Sequence, residues 1–304
     1  MTPSTHGRYG YSALPHRPVY HWPDGRRLAV YLGLNLEHFA FGEGLGAELC
    51  PAGPQPDVLN FAWRDYGNRV GAWRMLEMFD GLGFPCSVLV NSSLYGYCPE
   101  LVGAFRSRGD EMVGHGRTNS ERQGVLPEDE ERALIVEATD AIARHEGRPP
   151  AGWLGPWISE SRVTPDLLKE TGYRYLLDWA MDDQPVWMAT RAGPILSVPY
   201  PQELNDIPAI VARKMNADAF ADMIVDQFDE MRRQAEDAPL VMGIALHAYL
   251  VGQPHRLRHL RRALTHIASA GAAWLTRAGA IAAHVERLPK DTLPAPPSMA
   301  DAGP

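Results

Sequence analysis

The sequence predicts an α/β fold, a single-domain barrel of parallel strands each followed by a helix. Three observations carry this. About eight short apolar runs alternate with segments of helical spacing, as (β/α) units require. Several of those runs end in a polar or charged residue, where parallel strands place their ligand-binding groups. The 304 residues contain no internal repeat and no linker that would split them, and α/β barrels run to about 250 residues as one domain. The boundaries that follow are an N-terminal arm over residues 1–26, a barrel over 27–287 and a loose tail over 288–304.

The arm is rich in Pro, Tyr and His without periodicity, and reads as a strap on the domain or on a neighbouring subunit. Leu28–Leu36 is apolar throughout and ends in Glu37-His38, a buried strand. The Gly- and Pro-rich stretch 41–56 is a long loop, the kind that forms a lid or rim. Helical spacing of Val70, Trp73, Leu76 and Met78 predicts a helix over 64–82, stopped by Gly83. Strand 86–91 and helix 99–108 follow, and then strand 111–116, which carries His115 and a polar turn. Acidic residues behind Pro127 open a helix over 127–145, in accord with the helix dipole. Gly152–Trp157 is a short strand and turn, and Thr164-Pro165-Asp166 starts a helix that stops at Gly172. Strands over 173–179 and 195–200 precede a helix over 217–235. Leu240–Leu246, the most apolar run, ends in His247, and helix 255–270, strand 273–276 and helix 278–287 complete the chain.

A net charge of -8 and a pI near 5.8 argue against nucleic acid or an anionic membrane as partner. No run reaches the roughly 18 apolar residues of a membrane span, and the first residues lack the apolar core of a signal peptide. Cys50, Cys86 and Cys98 form no CxxC pair, and an odd count suits reduced thiols. The expectation is a cytoplasmic protein.

If the alternation holds, one rim collects Glu37 and His38, Asn91, His115 with Asn119, Trp153 with Trp157, Asp182 with Asp183, Tyr200 with Glu203, and His247. A carboxylate, two imidazoles and an amide on one rim can hydrolyse an acyl C–N or C–O bond. The carboxylate takes a proton from water, donors hold the oxyanion, and a histidine protonates the leaving nitrogen. Phe39 or Phe41 and the tryptophans would wall the site and raise the base towards neutrality. Duller readings stand beside these. His115 can simply cap its strand on a neighbouring carbonyl, Asp182-Asp183 can cap a turn, Trp153 and Trp157 can be core, and Glu203–Asp206 can be a turn or bind a partner subunit. Glu37 is the strongest single candidate, because a carboxylate closing an apolar strand is costly to bury without partners or a task.

The order of these pieces resembles the polysaccharide deacetylase (NodB-homology, carbohydrate esterase family 4) superfamily. It is most similar to the branch of metal-independent allantoinases and cyclic imide hydrolases. The resemblance runs from about Tyr20 to His284. It rests on Trp63-Arg-Asp-Tyr-Gly-Asn-Arg-Val-Gly71, Gly114-His-Gly-Arg-Thr-Asn-Ser120, Gly152-Trp-Leu-Gly-Pro-Trp157, Pro199-Tyr-Pro-Gln-Glu-Leu-Asn-Asp206, Leu246-His247 and Gly252-Gln-Pro-His-Arg256. It implies a distorted (β/α) barrel of the NodB type. The departures are specific. The paired-Asp first motif is Glu37-His38 here, and Asn119 stands for the second histidine of the metal site. The third-motif arginine is missing beside Gly152-Trp153, and the last His-Pro is His247-Ala248. Zinc prefers nitrogen and sulfur ligands, and a carboxamide oxygen is a poor third one.

The expected function is therefore hydrolysis of a non-peptide C–N bond in a small cyclic amide, imide or ureide. Glu37, His115, Asn119 and His247 are the expected catalytic groups, and His38, Phe39, Trp153, Trp157, Asp183 and Tyr200 the substrate-binding ones. No cofactor is required on this reading. A weakly held divalent metal such as zinc would use Glu37, or His38 in its place, with His115 and Asn119. The alternatives are a metal-dependent N-deacetylase and a catalytically inactive small-ligand-binding barrel. The resemblance also implies a homo-oligomer, dimer or tetramer.

Overall fold

In the computed structural model, which describes residues 5–42, 46–51 and 54–297, strand β1 (Leu28–Leu36) is the spine. All nine of its residues are buried. The further strands are β2 (Cys86–Val90), β3 (Glu111–Gly114), β4 (Gly152–Trp153), β5 (Tyr175–Leu176), β6 (Val186–Met188), β7 (Ile195–Ser197), β8 (Leu240–His247) and β9 (Trp274–Thr276). They form one curled sheet in the order β6-β7-β5-β4-β3-β2-β1-β8, with β9 on the lower half of β1 beside β2. Every ladder is parallel except β6–β7. This is a single-domain, distorted (β/α) barrel of the NodB type.

The two-residue period of a strand sorts the core. Leu28, Val30, Leu32, Leu34 and Leu36 of β1 pack outward against the helices, as do Cys86, Val88 and Val90 of β2 and Leu240, Met242, Ile244 and Leu246 of β8. Ala29 and Tyr31 of β1, Leu89, Val113, Leu154, Tyr175, Val241 and Ala245 pack together on the inner side. Continued past the strand ends, the same parity turns Glu37, Asn91, His115 and His247 inward and His38 outward.

The barrel does not close through a ladder between β8 and β6. Loop backbone fills that gap. Val241 N donates to Asp183 O at 2.8 Å and Ala245 N to Leu204 O at 2.9 Å, next to an isolated parallel bridge between Asn205 and Ala245.

Several expectations shift in detail. The predicted helix over 64–82 begins earlier, at Val58, and passes through a π-helical segment, Gly67–Gly71, before continuing as Ala72–Leu82. Strand β6 was not foreseen. Its three residues pair antiparallel with β7 and show no apolar alternation long enough to read. Residues 5–26 lie on the barrel. Arg8 makes a bidentate pair with Asp166, and Arg17 another with Asp182. The tail is not loose over 288–297, since Leu293 is buried in the inner cluster. Residues 1–4 of the arm, five residues of the loop 41–56, and 298–304 of the tail lie outside the described residues. Among the described residues no helix is long and apolar enough to cross a membrane, and the three cysteines are free.

The Arg8–Asp166 pair is buried on both sides, with Arg191 N also donating to Asp166 at 2.7 Å. Burial alone would raise Asp166, but Arg8 outweighs it and holds the carboxyl below its ordinary 3.8. A depressed folded-state pKa stabilises above the unfolded value and is lost as pH falls through the folded one. Arg8→Ala leaves Asp166 buried and unpaired. It should cost about 3 kcal/mol at neutral pH, read as a lower urea midpoint. That deficit should shrink as the pH falls below the ordinary carboxylate range.

Candidate active site

Glu37 is the hub. It follows β1, is 6 % exposed, and meets three side chains from two other segments, the turn after β3 and the end of β8. Asn119 Nδ2 donates to Glu37 Oε1 at 2.7 Å. His247 Nε2 lies 3.6 Å and His115 Nε2 3.8 Å from the same oxygen. Glu37 Oε2, His115 Nε2 and Asn119 Oδ1 are buried with no hydrogen-bond partner. Buried polar atoms without partners are rare in folded proteins. Three around one carboxylate form a site ready to take polar atoms of water or substrate.

Each imidazole is oriented from behind. His247 is the last residue of β8, and its Nδ1 lies 2.6 Å from Asp206 Oδ1, while its backbone N–H donates to Asp206 Oδ2 at 2.7 Å. His115 Nδ1 lies 2.7 Å from the carbonyl of Leu154. A carbonyl only accepts, so Nδ1 carries the proton and Nε2 is the atom free to change role. The turn after β3 requires Gly116. Its φ is +66°, and a Cβ there would meet Pro156 Cγ at 2.7 Å.

A layer of asparagines fixes the strand ends. Asn68, on the π-helical segment, donates to Glu37 O at 2.8 Å. Asn91 accepts the His38 N–H at 2.8 Å and donates to His115 O. Asn119 N donates to His38 O at 2.8 Å. Asn35 donates to the Tyr200 hydroxyl at 3.0 Å and to Leu246 O at 3.1 Å. Backbone at the ends of β1, β3 and β8 is thus tied together around one carboxylate.

The electrostatics differ from expectation. Burial alone would raise Glu37, but His247 first and then His115 outweigh it, and the carboxyl sits below its ordinary 4.5. The anticipated rise towards neutrality does not occur, because imidazoles rather than apolar walls face the carboxylate. Burial alone would lower His247, but Asp206 and then Glu37 carry it above 6.5. Burial raises Asp206 despite His247. Burial and then Glu37 raise Tyr249 well above the ordinary phenol value.

These groups open into a cavity of about 200 Å³. Its polar side is Asn35, Glu37, His115, Asn119, Gln202, Asn205 and His247, and its apolar side includes Leu154, Trp157, Ile158, Tyr200, Ile207 and Tyr249. Glu37, His115, Asn119 and His247 are therefore brought together, with Trp157 and Tyr200 on the wall. The other four expected binding residues do not line the cavity. His38 faces outward, its Nδ1 2.9 Å from Ser93 Oγ and its ring stacked on Tyr97. Trp153 is fully buried and packs edge-on to Tyr173 beneath the helices. Phe39 lies behind the cavity, against Tyr249 and under the Arg64 guanidinium. Asp183 borders a separate hollow with Met181, Gln227 and Met231. Strand parity accounts for His38 and Trp153.

Sequence reasoning missed Asp206, Tyr249, Gln202 and Asn205. Asp206 stood inside a segment read as a turn or a partner contact. Parity is silent there because no named strand carries it.

A metal would need donors that this set does not offer. Among the described residues no group of three or more His, Cys, Asp or Glu side chains is arranged to hold an ion. Asn119 turns its N–H₂, which has no lone pair to give, toward Glu37. The residues do not fit a tetrahedral site.

No protein-family model matches the chain. A Schizosaccharomyces pombe protein that carries the provisional name polysaccharide deacetylase is 28% identical over 284 residues, 84% of this chain and 88% of its own. The crystal structure of Puue allantoinase superposes with a TM-score of 0.79 at 27% identity, over 90% of this chain and 93% of that one. A structure from Pseudomonas aeruginosa PAO1, provisionally named a polysaccharide deacetylase, gives a TM-score of 0.79 at 28% identity, over 91% and 95%. With the fold, the strand-end constellation and these likenesses in agreement, the chain belongs to the NodB-homology superfamily of hydrolases.

Proposed function

We propose that this protein opens the C–N bond of a small cyclic amide, imide or ureide, with Glu37 as general base and no resident metal. The observation that carries the proposal is a buried carboxylate with an unpartnered oxygen, between two imidazoles, in a cavity of about 200 Å³. Sites for drug-sized ligands span about 300–1,000 Å³. A smaller one suits a single ring better than a run of sugar units. The likeness to an allantoinase supports the small-ring reading, and the likeness to polysaccharide deacetylases supports acyl C–N chemistry more broadly.

Water between Glu37 Oε2 and the substrate gives its proton to the carboxylate as its oxygen attacks the carbonyl carbon. Asn119 anchors Glu37 Oε1, which keeps the second oxygen aimed inward. His115 Nε2 accepts from water when neutral and donates to the tetrahedral oxyanion when it carries a second proton. His247, as the imidazolium that Asp206 favours, protonates the departing nitrogen as the C–N bond breaks. The ring-opened product leaves with a new carboxyl group.

Glu37→Gln should lower kcat about 10²–10⁴-fold in assays on hydantoins, succinimide-type imides and allantoin, and full activity in this variant would reject the base assignment. Activity should be bell-shaped in pH. It appears as Glu37 ionises, below its ordinary 4.5, and is lost as His247 deprotonates, above its ordinary 6.5. Asp206→Asn removes the charge that raises His247, so the alkaline limb should move to lower pH.

A metal-dependent N-deacetylase remains the second reading, favoured by the two Nε2 atoms facing one carboxylate. Protein purified in chelator should retain turnover on the small-ring substrates and carry no stoichiometric metal by elemental analysis. Turnover abolished by chelation and restored by zinc would overturn the metal-free proposal in favour of this one.

A further inference from the structure

Two polar side chains on the cavity wall have no part in the chemistry above. Gln202 and Asn205 both line the cavity that holds Glu37 and His247. Asn35, on the same cavity, is already engaged, donating to the Tyr200 hydroxyl at 3.0 Å and to Leu246 O at 3.1 Å. Asn205 is engaged at one end only. It is 6 % exposed, and its Oδ1 accepts the Ile207 N–H at 3.1 Å. That N–H needs an acceptor, so the amide oxygen faces it and Nδ2 faces away. Nδ2 has no partner among the described residues, and the half-buried Gln202 amide has none there for either end. The wall therefore keeps two amide donors and one amide acceptor, Gln202 Oε1, unspent.

The segment that carries them is fixed against the acid of the mechanism. Ala245 N donates to Leu204 O at 2.9 Å, and Asn205 bridges to Ala245. The next residue, Asp206, holds both the backbone N–H and the Nδ1 of His247. Whatever Asn205 grips is thus placed at a set position relative to the imidazole that serves the leaving nitrogen.

The character of the wall says what it can grip. Among the described residues no Lys or Arg lines the cavity, so a carboxylate or phosphate on the substrate would meet no guanidinium or ammonium. A neutral carbonyl with an N–H beside it meets a donor and an acceptor. In an imide or ureide ring the leaving nitrogen carries a second carbonyl, and that C=O and the ring N–H point outward side by side in the ring plane. The lone pair that takes the proton as the C–N bond breaks lies across that plane, so an acceptor on the N–H does not compete with His247. A simple lactam has no second carbonyl. A site built to hydrogen-bond a polar group rejects the analogue that lacks it, because its own polar atoms are left unpaired.

We propose that Asn205 and Gln202 set the specificity of this site. Asn205 Nδ2 donates to the second carbonyl and Gln202 Oε1 accepts the ring N–H, so that neutral cyclic imides and ureides are selected over simple lactams. This rests on the ring-opening reading above and narrows its substrate class.

Calorimetric titration of full-length Glu37→Gln, which should hold the rings unopened, tests it with succinimide, N-methylsuccinimide and 2-pyrrolidinone. Succinimide should bind about tenfold tighter than either of the others, the worth of one hydrogen bond. In that background Asn205→Asp keeps an oxygen for the Ile207 N–H and turns the donor into an acceptor. It should weaken both succinimides about tenfold and leave 2-pyrrolidinone unchanged. Gln202→Met should weaken succinimide about tenfold and leave N-methylsuccinimide unchanged. Succinimide that fails to bind, or binds no better than 2-pyrrolidinone, overturns the proposal, as does a loss in Asn205→Asp that 2-pyrrolidinone shares. Unchanged succinimide affinity in Gln202→Met overturns the role of Gln202. Should Asn205→Asp fail to fold, the ranking of the three rings and the Gln202→Met titrations still decide. Failure of the base assignment shows separately, as succinimide opened by Glu37→Gln at the wild-type rate, and the same comparison is then read from KM.

Discussion

A carboxylate sealed inside a protein costs several kcal/mol unless charge and hydrogen bonds replace the lost water. The architecture around Glu37 can be understood as the answer to that cost. β1 delivers Glu37 to the mouth and is held by three neighbours, β2, β8 and β9. Two of the side chains that meet the carboxylate arrive just beyond β3 and at the end of β8, and Asn119 arrives on the turn beyond β3. Asparagines 68 and 91 tie the backbone of these strand ends together, so the carboxylate cannot relax towards solvent without breaking several buried hydrogen bonds.

The break in the barrel serves the same end. A strand between β8 and β6 would have filled the wall with ladder hydrogen bonds and alternating side chains. Instead the segment around Leu204 and Asn205 meets β8 through one bridge and then turns away at Asp206. The released backbone allows a buried acid to approach His247 from the side, where a regular strand would have presented its edge. Loop geometry, not strand geometry, thus places the acid that raises His247.

How much of this was legible in the sequence follows from where regular period applies. β1 and β8 are long and apolar, and their bounds and terminal Glu37 and His247 were readable directly. His115 was readable because a glycine turn follows at once. The choice between Glu37 and His38, left open from the residues, is decided by parity: Leu36 and His38 share the outward face, Asn35 and Glu37 the inward one. Trp153 was misplaced for the same reason, since it lies on the helix side while Leu154 points in. Asp206, Tyr249 and Gln202 stood on segments with no period at all. Their positions depend on contacts distant in sequence, such as Ala245 with Leu204, which local patterns do not encode.

Charge balance bears on how these residues would receive a metal ion. Around the cavity stand two acids, Glu37 and Asp206, and two imidazoles, His115 and His247. If the imidazoles carry the protons, the set neutralises itself, and each acid keeps an imidazole within reach. A divalent ion added to the same set would compete with those protons for the Nε2 atoms and would find an amide N–H₂ where a third ligand is needed. Replacing Asn119 by an imidazole would alter both sides of that balance, adding a metal ligand and removing the donor that anchors Glu37 Oε1. The amide at position 119 therefore anchors the carboxylate by a hydrogen bond, and on the proposed mechanism a protonated His247, favoured by Asp206 behind it, supplies the positive charge between the two buried acids.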